Sequence, residues 1–425
     1  MDFLEFLNHS VSPYHTVNEL KQAFAAHGFI GLAADVGEKP QAGAAYFFER
    51  SGALIALRMP TKPSQDSKFR IALAHTDFPA LKIAPNPDGN AAGIKTLHSE
   101  IYGSPLFTSW LDRDLGYAGI LAVEKEGKIQ QKLVRGEKLF RIPQLAIHLN
   151  RGVNQDGLKV DPQKDLNALW TADATSSASG SFVEALQQFV AKDEKLLDFD
   201  IQLFDAQPAT FGGFHDEWIY SGRLDNLSSC HAIAEAMLAA KPAEKDFQVA
   251  CFFNNEEVGS VSREGASGNF LRAVLEYVWS ATQASPETAS YTLAFALEKS
   301  LAFSIDMAHA EHPNHPEKHD ANHAPILGGG IVLKANAQKR YASDVMSSAK
   351  LRQLCEKAGT SLQVFISRND MPCGSTVGPA ISASLGIPTV DIGEPMLSMH
   401  SIREMTATKD HQDMIQVVKA LYNFF

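Results

Sequence analysis

The chain has 425 residues, 45% of them hydrophobic and 20% charged, and a formal net charge of −11 with histidine counted as neutral. At roughly 100 to 200 residues per domain this length suits one large domain plus a second, and the acidic balance argues against nonspecific nucleic-acid binding, which needs a basic footprint. No run approaches the roughly 20 apolar residues that cross a bilayer. The first residues lack a basic stretch followed by an apolar one, and Cys230, Cys251, Cys355 and Cys373 form neither a CxxC pair nor a compact disulfide framework. A cytoplasmic protein without nucleic-acid or membrane partners is the expectation.

In chain order, 3–7 and 17–27 read as short amphipathic helices interrupted at Ser12-Pro13. Residues 52–59 and 70–74 are compact apolar runs suited to buried strands, although periodicity alone leaves buried helix open. After Pro79 turn signals become frequent, and short alternating segments at 94–102, 119–125, 127–134 and 198–204, with one helix at 181–192, suggest an inserted, mostly β domain over 80–215. Helical periodicity returns at 227–240. A strand at 248–253, a helix at 269–281 and a short strand at 302–305 follow. Then come strand 330–336, helix 344–358, strand 362–367, a Gly/Pro-rich loop at 371–379, strand 387–391 and helix 409–423. The alternation predicts an α/β fold, a central mixed sheet flanked by helices, in three segments: 1–79 and 216–425 as the catalytic domain, and 80–215 as the smaller insertion.

Acidic and histidine side chains recur where these apolar runs end: His75 and Asp77, Asp225, the pair Glu256-Glu257, Asp306, and His400. Imidazole nitrogen and carboxylate oxygen are zinc ligands, and His75, Asp225, Glu257, Asp306 and His400 supply five of them. Two ions about 3.5 to 4 Å apart can share a carboxylate and a water. Adjacent side chains on a strand point in opposite directions, so at a strand end Glu257 can bind metal while Glu256 serves as general base. Asp77, two residues from His75, can orient that imidazole through its other nitrogen. Taken singly, the Glu pair also reads as a solvated acidic turn and the HxD motif as ordinary polar packing.

The segments ALAHTDFPALKI, GRLDN, FFNNEEVGS, SIDMAHAEHPN and SMHSIRE, in this order, resemble the aspartyl aminopeptidase family of dinuclear zinc peptidases over nearly the whole chain. The resemblance implies a zinc-exopeptidase-like catalytic domain with an inserted dimerisation or lid domain. It implies two zinc ions per subunit, His75 and Asp306 on one side, Glu257 and His400 on the other, with Asp225 bridging. Glu256 takes the acid/base role and Asp77 the supporting one. It further implies a homo-oligomer of dimers closing into a dodecamer, and short peptides with an acidic N-terminal residue as substrates.

An acidic substrate side chain requires a cationic or hydrogen-bonding pocket. Lys334 and Arg340 are the candidates, and both also read as a solvated strand end or surface ion pairs. His148 matches a family histidine that reaches a neighbouring subunit's site; its alternative is a polar residue on an insertion strand. His309 is a further substrate-side candidate. The run His309, His312, His315, His319 and His323 reads as a polar loop lining or covering the cleft rather than a separate metal tract. Competing functions are a dinuclear deacylase or dipeptidase acting on another amide, and an inactive peptide-binding assembly.

Overall fold

The computed structural model describes residues 1–32, 39–172, 180–280 and 286–425, without the side chains of 286–291. Residue 281 of the expected 269–281 helix and residues 173–179 of the expected insertion lie outside this description. The chain packs into two units, one of Met1–Asp77, Ala209–Met399 and Glu404–Phe425, the other of Phe78–Pro208 with His400–Arg403. Residues 209–215, assigned to the insertion from sequence, pack in the first unit, where Thr210–Gly212 pairs with Trp218–Ser221. Residues 400–403, assigned to the catalytic segment, pack with the second.

Among the described residues, nine strands of the first unit form one mixed sheet. Its order is Ile30–Gly31, Ala45–Arg50, Ala53–Arg58, Phe247–Phe253, Phe69–His75, Leu301–Ile305, Thr389–Gly393, Ile331–Lys334 and Leu362–Phe365. The four strands from Phe247–Phe253 to Thr389–Gly393 run parallel. A strand with both faces covered reads as a continuous apolar run, and all seven residues of FQVACFF are buried. On one face Phe69, Ile71 and Leu73 join Val274, Leu275 and Trp279 of the Phe270–Ser280 helix in one core. On the other, Phe252 packs against Phe24 of the Pro13–Ala26 helix. That helix begins four residues earlier than its apolar pattern, because Ser12 caps it by accepting from the His15 N–H and Pro13 fits the first turn, where no N–H partner is needed.

The second unit is built on a six-stranded antiparallel sheet, ordered Lys128–Phe140, Leu115–Lys125, Lys195–Asp205, Ala80–Ala91, Ile94–Tyr102 and Ala168–Ala172. Its core gathers Trp110, Tyr117, Phe140, Phe182 and Leu203. The helix expected over 181–192 is shorter, Phe182–Ala185 continuing as a 3-10 turn to Phe189.

Candidate metal centre

Parallel strands deliver their C-terminal ends to one edge of a sheet, where ligands of α/β folds usually bind. Phe253 is level with His75 in adjacent strands, and Ser304 is level with Leu73. His75 is therefore the last residue of its strand, Asp306 follows Ile305 directly, and Glu256 lies three residues past Phe253. Close packing holds Asp306 there, since a Cβ on Gly393 would collide with the Asp306 carbonyl. Asp225 and Asn226 occupy a non-helical kink near the start of the Leu224–Ala239 helix. The Asp225 N–H donates to Glu404 Oε2 at 3.1 Å, and Asn226 Nδ2 donates to the Ile305 carbonyl at 2.8 Å, tying this kink to the strand that carries Asp306.

His75 is buried, and its Nδ1 lies 2.9 Å from the Asp77 carbonyl oxygen. A carbonyl only accepts, so Nδ1 carries the hydrogen and Nε2 is left as the ligating nitrogen. Around Nε2 stand Asp225 Oδ1 at 3.5 Å, Asp306 Oδ1 at 3.6 Å and Glu256 Oε2 at 4.0 Å. Ligand atoms of His75, Asp225 and Glu257 all lie within 4.8 Å of one another. Asp77 engages His75 chiefly through its main chain, its Oδ1 standing 3.4 Å from Nδ1. Its carboxylate accepts the backbone N–H of Glu256 on one oxygen and that of Glu257 on the other, each at 3.1 Å. After Asn255 in the left-handed region, Glu256–Val258 form a 3-10 turn rather than a continuing strand.

Burial alone would lower the His75 pKa, but Asp225, Asp306, Asp77 and Glu256 outweigh it and hold the imidazole well above its ordinary range. Burial pushes the Glu256 carboxyl up to about 8; the His75 charge opposes this, and Asp306, Asp77 and Asp225 reinforce it. So many carboxylates about one imidazole make a pocket that calls for positive charge.

His309, at the end of the two-residue strand Ala308–His309, meets Phe365 edge to face, and with His312, His319, Tyr341 and Arg368 it lines a cavity of about 260 Å³. His315 faces Glu317 at 3.5 Å, and His323 faces Asp320 at 2.7 Å. Arg340 is exposed, its Nε donating to the carbonyls of Cys373 at 3.2 Å and Gly374 at 3.4 Å. Lys334 is buried; its ammonium donates to the Met307 carbonyl at 2.9 Å and stands 3.5 Å from Asp306 Oδ2. His148 is exposed in the 3-10 turn Ile147–Leu149 of the second unit, not on a strand. His400 also groups with that unit, where its Nδ1 lies 3.1 Å from the Ser104 carbonyl oxygen.

Residues 6–425 match the family model described as aminopeptidase I zinc metalloprotease (M18). The chain belongs to the M18 family. A probable M18 family aminopeptidase 2 of Pseudomonas aeruginosa is 38% identical over 425 residues, covering 99% of this chain and 96% of the relative. A probable aspartyl aminopeptidase of Ricinus communis is 34% identical over 469 residues, covering 100% and 95%. Among solved structures, that of the Ape4 and Nbr1 complex superposes with a TM-score of 0.93 at 32% identity, covering 99% of this chain and 84% of that one. The S. cerevisiae mApe1 dodecamer gives 0.84 at 26% identity, covering 98% and 94%. As an M18 zinc metallopeptidase the protein is an aminopeptidase acting on peptides, with the α/β fold of its family.

The donor set fits zinc: one imidazole nitrogen, turned by the bond at its far side, with carboxylate oxygens converging on it. Glu404 and Asn226 position the Asp225 segment although sequence assigned neither a role. Both lie inside the motifs SMHSIRE and GRLDN, but nothing in a single sequence says that Glu404 meets the Asp225 backbone. Among the described residues, no helix is long and apolar enough to cross a membrane.

Proposed function

We propose that this aminopeptidase removes an unblocked N-terminal aspartate or glutamate from short peptides, using water activated at two zinc ions. His75 and Asp306 would hold one ion, Glu257 and His400 the other, and Asp225 would be shared by both. The observation that carries this reading is the convergence of Asp225, Asp306 and Glu256 on His75 Nε2, with Glu257 beside them. Zinc, when bound, supplies polarisation of the first amide carbonyl and an acidified water.

The protein groups divide the remaining work. Glu256 takes the proton of the attacking water and returns it to the departing amine, a role suited to a buried carboxyl whose pKa stands near neutrality. Asp77, by holding both backbone N–H groups of the Glu256–Glu257 turn, lets the two side chains serve different partners. Lys334 at the end of its strand, Arg340 near the Gly374 side and His309 on the wall of the 260 Å³ cavity meet the acidic side chain. His148 acts at a neighbouring subunit's site, in a cytoplasmic homo-oligomer of dimers, up to a dodecamer, whose 80–215 segment serves as the dimerisation or lid domain. The mApe1 dodecamer and the aspartyl aminopeptidase relative support this reading.

The test is a zinc-loaded assay on peptides identical except for a first residue of Asp, Glu, Ala, Leu or Lys, with an N-blocked Asp control. Preferential turnover of the free acidic peptides is expected. Equal turnover of neutral peptides would defeat the acidic preference, and cleavage of the blocked peptide alone would point to a deacylase. Zinc titration followed by mass spectrometry of the native protein should give two ions per chain, and a single ion would defeat the dinuclear reading.

A further inference from the structure

We infer that Glu394, His411 and His231 are positioning residues for Asp225: holding one proton more than two neutral imidazoles carry, they clamp the N-terminal helix Phe3–His9 onto the segment around Asp225. This rests on Asp225 serving as a metal ligand. The three side chains are buried and linked in a chain of hydrogen bonds. Glu394 Oε2 accepts from the Ser228 hydroxyl at 2.7 Å, and His411 Nδ1 lies 3.0 Å from Glu394 Oε1 and 3.1 Å from Ser228 Oγ. His411 Nε2 lies 3.0 Å from His231 Nδ1, and His231 Nε2 lies 3.1 Å from the Met1 carbonyl oxygen. A carbonyl and an ionised carboxylate only accept. His231 Nε2 and His411 Nδ1 therefore each carry a hydrogen, and the two nitrogens that face each other need one more between them. Two neutral imidazoles carry one hydrogen each, so the pair holds a single positive charge opposite Glu394.

That charge belongs on His411, beside the carboxylate. His231 stays neutral, because burial and the His411 charge hold its pKa well below the ordinary value. The other charged groups here are the Met1 ammonium, paired with Glu235 at 2.6 Å, and Asp410, which accepts the Gly328 and Gly330 N–H groups and interacts electrostatically with Glu394. The helix closes over the pair: the Phe3 ring stacks on His411 with centroids 3.8 Å apart, and Phe3 and Phe6 both meet His231. At its other end the Leu7 carbonyl accepts from Arg223 Nη2 at 3.0 Å. Arg223 and His231 lie on either side of Asp225 in the chain, so the helix is fastened before and after it. Once the extra proton leaves, either two bare nitrogens face each other or the Met1 carbonyl faces a bare Nε2. The clamp is therefore complete at low pH and is lost as pH rises.

The experiment follows hydrogen exchange of the Phe3–His9 helix in the zinc-loaded protein, corrected for intrinsic rates, with the Phe270–Ser280 helix as internal control, and measures zinc affinity by chelator competition. In wild type, protection of the N-terminal helix relative to the control is expected to fall about tenfold between about pH 6 and 9. Glu394→Gln removes the counter-charge, so protection should be low throughout and zinc affinity at a fixed pH about 3- to 10-fold weaker. His231→Gln keeps an amide donor for the Met1 carbonyl but cannot titrate, so its protection should not vary with pH; this variant decides the matter should Glu394→Gln not fold. Wild-type protection that follows the control at every pH would overturn the inference, as would a His231→Gln protein that keeps the wild-type pH trend. Asp225→Asn tests the premise: if it retains zinc affinity, the metal-site reading fails. If it loses zinc affinity while Glu394→Gln loosens the helix but binds zinc as wild type does, the metal-site reading stands and the positioning role is overturned.

Discussion

Two histidine-bearing regions of the first unit stand in opposite electrostatic settings. His75 is buried with a carbonyl behind it and carboxylates in front, and its pKa is held well above the ordinary value. His319, half-buried on the cavity wall, is lowered by burial, which outweighs the opposing charge of Glu311, with a lesser lowering from His312. The same side chain is made a cation site in one place and a neutral wall in the other. The number of histidines in a stretch is therefore a poor guide to metal: the histidine-rich 309–323 segment contributes wall and surface pairs, while the solitary His75 anchors the ligand cluster.

The comparison is broken most severely through Glu256. Glu256→Gln should keep zinc bound but cut kcat by about 10²- to 10⁴-fold; retained turnover in the zinc-loaded variant would remove it as the base. Asp77→Asn deprives one of the two backbone N–H groups of the Glu256–Glu257 turn of a carboxylate oxygen, and a drop in zinc affinity of about 10- to 100-fold is expected from chelator competition.

A pH series sharpens the contrast. In the metal-free fold, His75 is raised above 6.5 and Glu256 from 4.5 to about 8, so the fold binds more protons than the unfolded chain. Their contribution to stability is complete below each unfolded value and is lost as pH rises through the folded ones. Zinc takes the place of those protons, so the rise in Tm on adding zinc should grow between about pH 6.5 and 8.5. A Tm rise independent of pH would contradict it. The smallest effect belongs to the other region: His323→Ala loses only the contact to Asp320, and zinc stoichiometry should hold with kcat within about twofold.

The central strands were legible because both of their faces are covered and their apolar runs are unbroken, and His75, Glu256 and Asp306 stood out as candidates because they end or follow those runs. Other elements were hidden by local signals. Ala80–Ala91 contains Pro85 and Pro87 and reads as turns, yet its pairing with Ile94–Tyr102 is irregular between Ile83 and Asp88, where prolines cost no regular ladder bond. The Val377–Leu385 helix opens inside the expected 371–379 loop. Pro379 falls in its first turn, where a missing N–H is harmless, and Thr376 accepts the Gly378 N–H. Ala45–Arg50 and Pro286–Glu298 were also missed. Lys334 shows another limit: its sequence reads equally as a pocket group or a solvated strand end, and only the three-dimensional neighbourhood of Met307 and Asp306 makes it an interior group.

The carboxylate of Asp77 joins the end of one strand to the turn that follows its neighbour. Because it takes both amide hydrogens of the glutamate pair, that turn shares the order of the sheet, and little rotational freedom must be frozen when a substrate arrives. The alignment of the two glutamates is settled during folding, so its entropic cost falls on the folding reaction and not on each catalytic cycle.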